Sequence, residues 1–330
     1  MIRTALAIAF SLPASAQVLV NGAGATFPYP IYAKWFDEFH RLHPSALINY
    51  QSVGSGAGIR QLKAGVLDLG ASDMPLKDDD PAVSARGLLH FPTVIGGVVP
   101  IYNIPKLTKD IDFTPELLAG ILLGRITRWD DPKLIELNRG VKLPSAEIVV
   151  IHRSDGSGTT YILSDYLAKT SSEWKSTIGV GTSVSWKAGI GAKGNEGVAG
   201  LVKQTPFSMG YVELVYSVQN RLTYGRVQNA AGRFVKADLA SIRAAASASS
   251  MPDDFRVSIT NAAGKDAYPI ASYTWLLTPA RISDPIKKRI IVDFLRWMIL
   301  HGQRMAMEVG YAPLPEAVAA KVLKACDRVQ

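Results

Sequence analysis

The sequence has very few of the features that mark disulfide-rich, fibrous or membrane-spanning proteins. Its 330 residues include one cysteine, Cys326, which has no partner for a disulfide within the chain. The best apolar stretch, 91–104, is broken by two prolines and two glycines, and it is shorter than the roughly 20 residues that a transmembrane helix needs. No unit recurs with a period of about 20–50 residues, so a solenoid is excluded. These absences leave a globular chain.

Several common catalytic signatures are also missing. The chain has no GxxxxGK[ST] segment, which disfavours a nucleotide P-loop. The GSGAG segment at 54–58 lacks the spacing of a dinucleotide fingerprint, and the GSG segment at 156–158 lacks the G-x-S-x-G elbow of serine hydrolases. His40 and His43 could share a helix face, but they have no third ligand for a metal site. A capped turn remains the plainer reading of each glycine-rich loop.

The composition predicts a protein with ample core material and a basic surface. Hydrophobic residues make up 48% and charged residues 19% of the chain, and at roughly 100–200 residues per domain the length favours two domains. Lysine and arginine exceed acidic residues by 36 to 28, for a net charge of +8. The basic residues are scattered, and the densest group, 287–289, falls in a helical stretch. This pattern disfavours nucleic acid as a partner but allows a small anion.

The N-terminal residues have the three-part layout of a secretory signal peptide. Arg3 supplies a positive charge, residues 5–12 are apolar, and Ala14-Ser15-Ala16 forms a small-x-small cleavage site. We therefore expect residues 1–16 to be removed, with the mature chain beginning at Gln17 and exported.

Apolar runs alternate with helical periods, which is typical of α/β domains. Strands are predicted at 18–20, 47–50, 67–71, 93–102, 147–152, 209–214 and 273–277, and helices near 31–42, 57–64, 159–169 and 239–250, after Thr114, and after the glycine-rich loop 189–200. A further helix is expected to start at a Ser283 cap and to place Ile286, Ile290, Phe294 and Met298 on one face. The spacing of Cys326 from Leu314, Val318 and Val322 places it on the apolar side of a terminal helix.

Three small-residue loops, 22–27, 54–58 and 153–159, each join a predicted strand to a predicted helix. Helix N-termini carry unpaired N–H groups and partial positive charge, so their convergence would form an anion cage. The hydroxyls available to it belong to Thr26, Ser55, Ser157 and Thr159. Arg153 adds a planar fork suited to an oxyanion, and Asp155 is well placed to orient that fork.

Eight segments, in their order and spacing, resemble the periplasmic phosphate-binding proteins of bacterial Pst ABC transporters. They are GAGATFPYPIYAKW (22–35), INYQSVGSGAGIRQL (48–62), LDLGASDMPL (67–76), FPTVIGGVVPIYNIP (91–105), RITRWDDP (125–132), HRSDGSGTTYILSDYLAK (152–169), GIGAKGNEGVAGLV (189–202) and GYVEL (210–214). The resemblance covers nearly the whole mature chain.

The resemblance implies a two-lobe α/β periplasmic binding protein fold of type II, with the ligand in the cleft between lobes. The chain would cross between the lobes twice, near 96–99 and 269–272. Residues 17–97 plus 268–330 would then form a discontinuous first lobe, and 98–267 the second.

The resemblance also implies which residues contact phosphate. Carried over position by position, they are Thr26, Phe27 through its backbone N–H, Ser55, Asp73, Arg153, Ser157, Gly158 and Thr159. Asp155 corresponds to the acid that pairs with the binding arginine. The second loop departs from the pattern, because Ser55 is followed by Gly56, Ala57 and Gly58 where relatives often have two serines. From GASDMP alone, a turn-capping role for Asp73 would be the simpler reading.

The implied function is capture of inorganic phosphate in the periplasm and delivery to an inner-membrane ABC permease. We expect no catalysed reaction, cofactor or metal, and a monomeric protein. The alternatives are a binding protein for sulfate or another tetrahedral oxyanion, a secreted phosphatase using the same anion site, and a phosphate sensor or adhesin without a transporter.

Overall fold

The computed structural model describes residues 17–80, 83 and 87–330. The expected signal peptide, 1–16, lies outside these residues. The strands are β1 (Val18–Gly24), β2 (Ala46–Ser52), β3 (Leu69–Ser72), β4 (Leu88–Asn103), β5 (Asp112–Phe113), β6 (Val149–Arg153), β7 (Ile190–Ala192), β8 (Ser208–Glu213), β9 (Thr223–Tyr224), β10 (Arg226–Gln228), β11 (Phe234–Val235) and β12 (Ala271–Pro279). Each of the predicted strands lies in or overlaps one of these, so those predictions are confirmed.

The described helices include every one that the sequence predicted. They are α1 (Tyr29–Leu42), α2 (Ser55–Lys63), α3 (Pro115–Leu122), α4 (Pro132–Leu137), α5 (Gly158–Thr170), α6 (Ser172–Thr177), α7 (Gly194–Gln204), α8 (Leu214–Asn220), α9 (Leu239–Ser247), α10 (Pro285–Trp297), α11 (Gln303–Val309) and α12 (Glu316–Ala325). A π-helical turn, Met298–Gly302, joins α10 to α11, and a 3-10 turn, Cys326–Arg328, follows α12. Within the described ranges, no helix combines the length and apolarity needed to cross a bilayer.

One long strand, β4, belongs to both halves of the main sheet. The order is β2-β1-β3-β12-β4-β8-β6-β7, with β9 also on β4. From Leu88 to Gly97, β4 pairs antiparallel with β12, whereas from Val98 to Asn103 it pairs antiparallel with β8. The fold is thus the two-lobe α/β architecture that the sequence led us to expect. The change of partner strand falls between Gly97 and Val98.

The first helix shows how the apolar period builds the core beside β1. Ile31, Trp35 and Phe39 recur on one face of α1 and are at most 1% exposed. The indole N–H of Trp35 donates to the carbonyl of Gly302 at 2.9 Å, which anchors α1 to the π-helical turn. The loop that precedes α1 is therefore held on a rigid support.

The start of α10 differs from the prediction by one residue. The N-cap is Asp284, not Ser283, because the Asp284 carboxylate accepts from the backbone N–H groups of Ile286 and Lys287 at 2.9 and 3.1 Å. Ile286, which was predicted to share a face with Phe294, is 56% exposed. It lies in the first turn, beyond the reach of the core that covers Phe294.

The glycine-rich stretch at 189–200 contains a short strand that the sequence did not predict. β7 pairs parallel with β6, and His152 lies opposite Gly191. The stretch then enters α7, as expected. Cys326 is 1% exposed and its thiol lies 3.3 Å from the carbonyl of Val322, which confirms its burial.

A close backbone contact at Gly58, near the start of α2, predicts that alanine substitutions at two helical glycines change stability in opposite directions. A Cβ on Gly58 would lie 2.4 Å from the Gly24 Cα and 2.7 Å from the Ala23 carbonyl oxygen. A Cβ on Gly200, in α7, would meet nothing within 4 Å. Gly58→Ala should therefore lower the free energy of unfolding by about 1–3 kcal/mol. Gly200→Ala, the matched control, should raise it by up to about 1 kcal/mol. Urea denaturation measures both, and equal effects would contradict this packing.

Candidate functional site: a buried anion cleft

The three small-residue loops, whose convergence would form an anion cage, meet in the structure. The loop after β1 leads to α1, the loop after β2 to α2, and the loop after β6 to α5. The Gly56 N–H, in the first turn of α2, donates to the Gly156 carbonyl at 2.9 Å, so the second and third loops touch. Ser157 caps α5, because its hydroxyl accepts from the Thr160 N–H at 3.1 Å. Positive helix ends from both halves of the molecule therefore point into one place.

Arg153 is held at the end of β6 by a two-point ion pair. Its Nε and Nη2 donate to the two carboxylate oxygens of Asp155 at 2.8 and 2.6 Å. The arginine is 3% exposed, so the carboxylate balances a buried charge. The Gly194 N–H also donates to Asp155, at 3.1 Å. Burial alone would raise the pKa of Asp155, but the arginine and the Gly194 N–H together lower it, which keeps this carboxylate ionised.

The remaining guanidinium nitrogen faces the hydroxyl groups. Arg153 Nη1 lies 3.5 Å from the Thr159 hydroxyl, which is a long contact. Asp155, which the sequence suggested would orient the guanidinium, occupies one edge of this planar group. The opposite edge is directed toward α5.

Asp73 is a buried carboxylate surrounded by donors. It is 1% exposed, and its Oδ1 accepts from the Thr274 hydroxyl at 2.7 Å. The Ser55 hydroxyl lies 3.4 Å from Oδ2, and the Asp73 backbone N–H lies 3.3 Å from the Ser55 oxygen. Burial raises the pKa of Asp73 to about 7, although the Thr274 bond, the Arg153 charge and the Ser55 bond act in the opposite direction. This carboxyl group can therefore gain or lose a proton near neutral pH.

Gly158 makes the closest approach between the two halves possible. A Cβ at this position would lie 2.2 Å from Asp73 Oδ2 and 2.4 Å from the Ser55 hydroxyl oxygen. Any side chain at residue 158 would therefore separate the start of α5 from Asp73. The absence of a side chain is required by packing at this position.

Close packing also explains the glycines at residues 54 and 56 of the second loop. Gly54 has a φ of +91°, and a Cβ there would lie 2.3 Å from an Asp155 oxygen. A Cβ on Gly56 would lie 3.0 Å from the Gly156 Cα. Gly56, one of the residues where the resemblance led us to expect serine, thus lies at a tight contact between the second and third loops.

Backbone groups of the first loop are fixed by tyrosines. The Tyr216 hydroxyl donates to the Thr26 carbonyl and the Tyr311 hydroxyl to the Phe27 carbonyl, both at 2.6 Å. The Phe27 ring is fully buried, and a Cβ on Gly96 would lie 2.6 Å from it. The ring therefore rests directly on the backbone of β4, next to the point where that strand changes partner.

The structure brings the predicted residues together, but what they bind stays a prediction. Thr26, Phe27, Ser55, Asp73, Arg153, Ser157 and Thr159 are all at most 3% exposed. Reasoning from the sequence missed Asn195, which donates to the hydroxyls of Thr26 and Thr159 at 2.8 and 3.0 Å. It also missed Thr274. Asn195 lies in the GIGAKGNEGVAGLV segment, which carried the resemblance but had no assigned role.

The cleft combines the donors of an anion receptor with a carboxylate acceptor, Asp73, that lies outside the Arg153–Asp155 ion pair. A guanidinium, several hydroxyls and helix N-termini supply donors, and Asp73 supplies a carboxylate. A tetrahedral oxyanion that carries a proton can satisfy both kinds of group. Among the described residues, no three or more His, Cys, Asp or Glu side chains are grouped as metal ligands.

Comparisons with known proteins agree with this geometry. A family model described as a PBP superfamily domain matches residues 12–300. The phosphate-binding protein PstS of Xylella fastidiosa (strain Temecula1) is 44% identical over 309 residues, covering 93% of this chain and 84% of that protein. The PstS protein of Pasteurella multocida is 42% identical over 316 residues, covering 95% and 91%.

Solved structures share the fold at lower identity. The high-affinity periplasmic phosphate-binding protein PfluDING, bound with phosphate, has a TM-score of 0.74 at 22% identity, covering 93% of this chain and 94% of that one. A putative phosphate ABC transporter substrate-binding protein with bound phosphate, from Clostridium perfringens, has a TM-score of 0.66 at 20% identity, covering 90% and 100%.

The raised pKa of Asp73 predicts a specific pH dependence of stability. The folded protein holds this proton up to about pH 7, whereas the ordinary pKa of an aspartate, as in the unfolded chain, is 3.8. Between these values the folded state binds more protons, so raising the pH destabilises it. The unfolding free energy of the wild type minus that of Asp73→Asn should therefore fall from pH 4 to pH 7 and level off above. Urea denaturation in anion-poor buffers measures this difference, and a constant value would contradict the prediction.

Proposed function

Because the chain belongs to the family of PstS phosphate-binding proteins, we propose that it captures inorganic phosphate in the periplasm and delivers it to an inner-membrane ABC permease. The observation that carries the proposal is the buried cleft that holds Arg153, four hydroxyl-bearing residues and Asp73, a carboxylate separate from the Arg153–Asp155 ion pair. The donors fit an anion, and the carboxylate fits an anion that still carries a proton.

We assign the phosphate contacts to the residues predicted from the sequence. The side chains are Thr26, Ser55, Asp73, Arg153, Ser157 and Thr159, and the backbone groups are the N–H groups of Phe27, Gly158 and Thr159. The first residues of a helix have no partner four residues earlier, which suits Gly158 and Thr159 to this role. The Ser157 N–H donates to the Thr182 carbonyl at 2.7 Å, so Ser157 contributes its hydroxyl.

Asp73 has a distinct role in this proposal. Phosphate near neutral pH carries at least one P–OH group and can donate to a carboxylate. Sulfate has only acceptors there, so Asp73, once it is ionised above about pH 7, opposes sulfate with no compensating hydrogen bond. The bond from Thr274 holds Oδ1 in place and leaves Oδ2 on the side of Ser55 and Gly158.

We also propose the lobe boundaries expected from the sequence, 17–97 plus 268–330 and 98–267. The first crossing is supported by the change of partner strand between Gly97 and Val98. The Val98 N–H donates to the Ile270 carbonyl at 2.9 Å, which supports a second crossing beside the first. Two adjacent crossings would allow the lobes to move about a common hinge.

The proposal includes no catalysed reaction, and the alternatives have separate signatures. Release of phosphate from a phosphomonoester would support a secreted phosphatase. Preference for sulfate in competition binding would support a receptor for another oxyanion. Phosphate binding without support of phosphate uptake in cells would favour a sensor or adhesin.

Isothermal calorimetry on phosphate-stripped protein tests the central assignment. Arg153→Ala should weaken phosphate binding by about tenfold to more than a hundredfold, because hydrogen bonds to charged groups contribute about 1.5–3 kcal/mol each. Arg153→Lys should restore part of the loss, since an ammonium cannot reproduce the planar fork. The matched control is Arg226→Ala, which removes a similar fork to Asp112 outside the cleft and should leave affinity unchanged. Unchanged affinity in Arg153→Ala would reject Arg153 as a ligand.

Competition calorimetry with sulfate above about pH 7, where Asp73 is ionised, tests the role of Asp73. Asp73→Asn should raise sulfate affinity relative to phosphate, because an amide can donate where the carboxylate only accepts. Asp112→Asn removes a carboxylate charge outside the cleft and should leave the preference unchanged. If folded Asp73→Asn keeps the wild-type preference, Asp73 has a structural role, such as capping the following turn.

A further inference from the structure

Asn195 is a fully buried amide that links both halves of the cleft. It is 0% exposed and lies in the first turn of α7. Its Nδ2 donates to the Thr26 hydroxyl at 2.8 Å and to the Thr159 hydroxyl at 3.0 Å. Thr26 belongs to the loop before α1 and Thr159 to α5, so one amide group bridges two of the three converging loops.

The orientation of this amide is fixed by its other end. Oδ1 accepts from the Glu213 backbone N–H at 3.0 Å. A backbone N–H can only donate, so the oxygen must face Glu213 and the NH2 group must face the two hydroxyls. Both N–H donors of the Asn195 amide group, and one of the two lone pairs on its oxygen, are thereby assigned.

This arrangement decides what the two hydroxyls can do. A threonine hydroxyl has one proton to donate and two lone pairs that accept. The Thr26 oxygen accepts from Asn195 Nδ2 and, at 3.3 Å, from the Asn195 backbone N–H. The Thr159 oxygen accepts from Asn195 Nδ2 and faces Arg153 Nη1 at 3.5 Å. The Thr26 oxygen thus has a donor for each lone pair, and the Thr159 oxygen has one donor and a guanidinium nitrogen at a longer distance. The proton of each hydroxyl is left as the group that a ligand can use.

We propose that Asn195 is a positioning residue of the anion site, which directs the Thr26 and Thr159 hydroxyl protons toward the bound ligand. This inference rests on the proposed phosphate function and adds a residue that would not itself touch the anion. A free hydroxyl can rotate to accept or donate, whereas these two are committed to donate before the ligand arrives. The free energy of orienting them is then supplied by folding and not by binding.

The residue before Asn195 acts on the other part of the site. The Gly194 N–H donates to Asp155, which in turn orients Arg153. The start of α7 therefore sets the direction of the guanidinium through one residue and of two hydroxyls through the next. Neither residue needs to contact the anion for this effect.

A double-mutant cycle, measured by phosphate calorimetry on stripped protein, tests the proposal. Asn195→Ala should weaken phosphate binding about tenfold, since two donors lose their fixed direction. In a Thr26→Val/Thr159→Val background, the same change should alter affinity by no more than about twofold, because the groups it acts through are gone. Equal factors in the two backgrounds would show a merely structural role and overturn the proposal, as would unchanged affinity in Asn195→Ala.

Controls keep the result interpretable. Asn138 is also buried and makes amide bonds, at 2.8 Å to the Asp112 N–H and 3.1 Å to its carbonyl, outside the cleft. Asn138→Ala should leave phosphate affinity unchanged, and a loss equal to that of Asn195→Ala would overturn the proposal.

If Asn195→Ala does not fold, Asn195→Asp replaces it in the cycle. The aspartate keeps an acceptor for the Glu213 N–H but would accept the two threonine protons, so its effect should be large with the threonines present and smaller in the valine background. A wild-type protein that binds no phosphate would refute the proposed function itself, whereas phosphate binding with additive effects refutes only the role of Asn195.

Discussion

The buried ion pair between Arg153 and Asp155 is the interaction on which the cleft depends. A guanidinium that is 3% exposed needs a partner, because an isolated charge in the interior costs several kcal/mol. The Asp155 carboxylate in turn constrains the residues around it. Gly54 has no side chain where Asp155 lies, and the Gly194 N–H completes the coordination of the carboxylate. One charge pair thus explains local features of two loops that are distant in sequence, the missing side chain at Gly54 and the direction of the Gly194 N–H.

A second constraint follows from the closeness of the two halves. Asp73 and Ser55 belong to one side, and the start of α5 approaches them so closely that only glycine fits at residue 158. The same approach excludes water from Asp73 and raises its pKa to about 7. Packing and proton affinity at this carboxylate are therefore two results of one geometry.

The sequence predicted the loops of the site well, because a strand followed by small residues and a helix start is a local pattern. Ser157 as a cap of α5 and the alternating strands follow from such local rules. The choice of ligand residues came from the family resemblance, since no spacing rule identifies Asp73 as more than a turn residue. Asn195 was missed because its role depends on two hydroxyls that are 169 and 36 residues away along the chain. The cap of α10 was misplaced by one residue, since Ser283 and Asp284 both suit an N-cap and only the backbone path selects between them.

The contact between Phe27 and Gly96 has a mechanical consequence. The ring of Phe27 rests on the backbone of β4 at Gly96, one residue before the last residue that pairs with β12. A bend of the strand at this point moves the surface that supports the ring. The angle between the two halves of the sheet and the placement of the Phe27 backbone are therefore coupled through one contact, and the residue that makes this contact in β4 has no side chain.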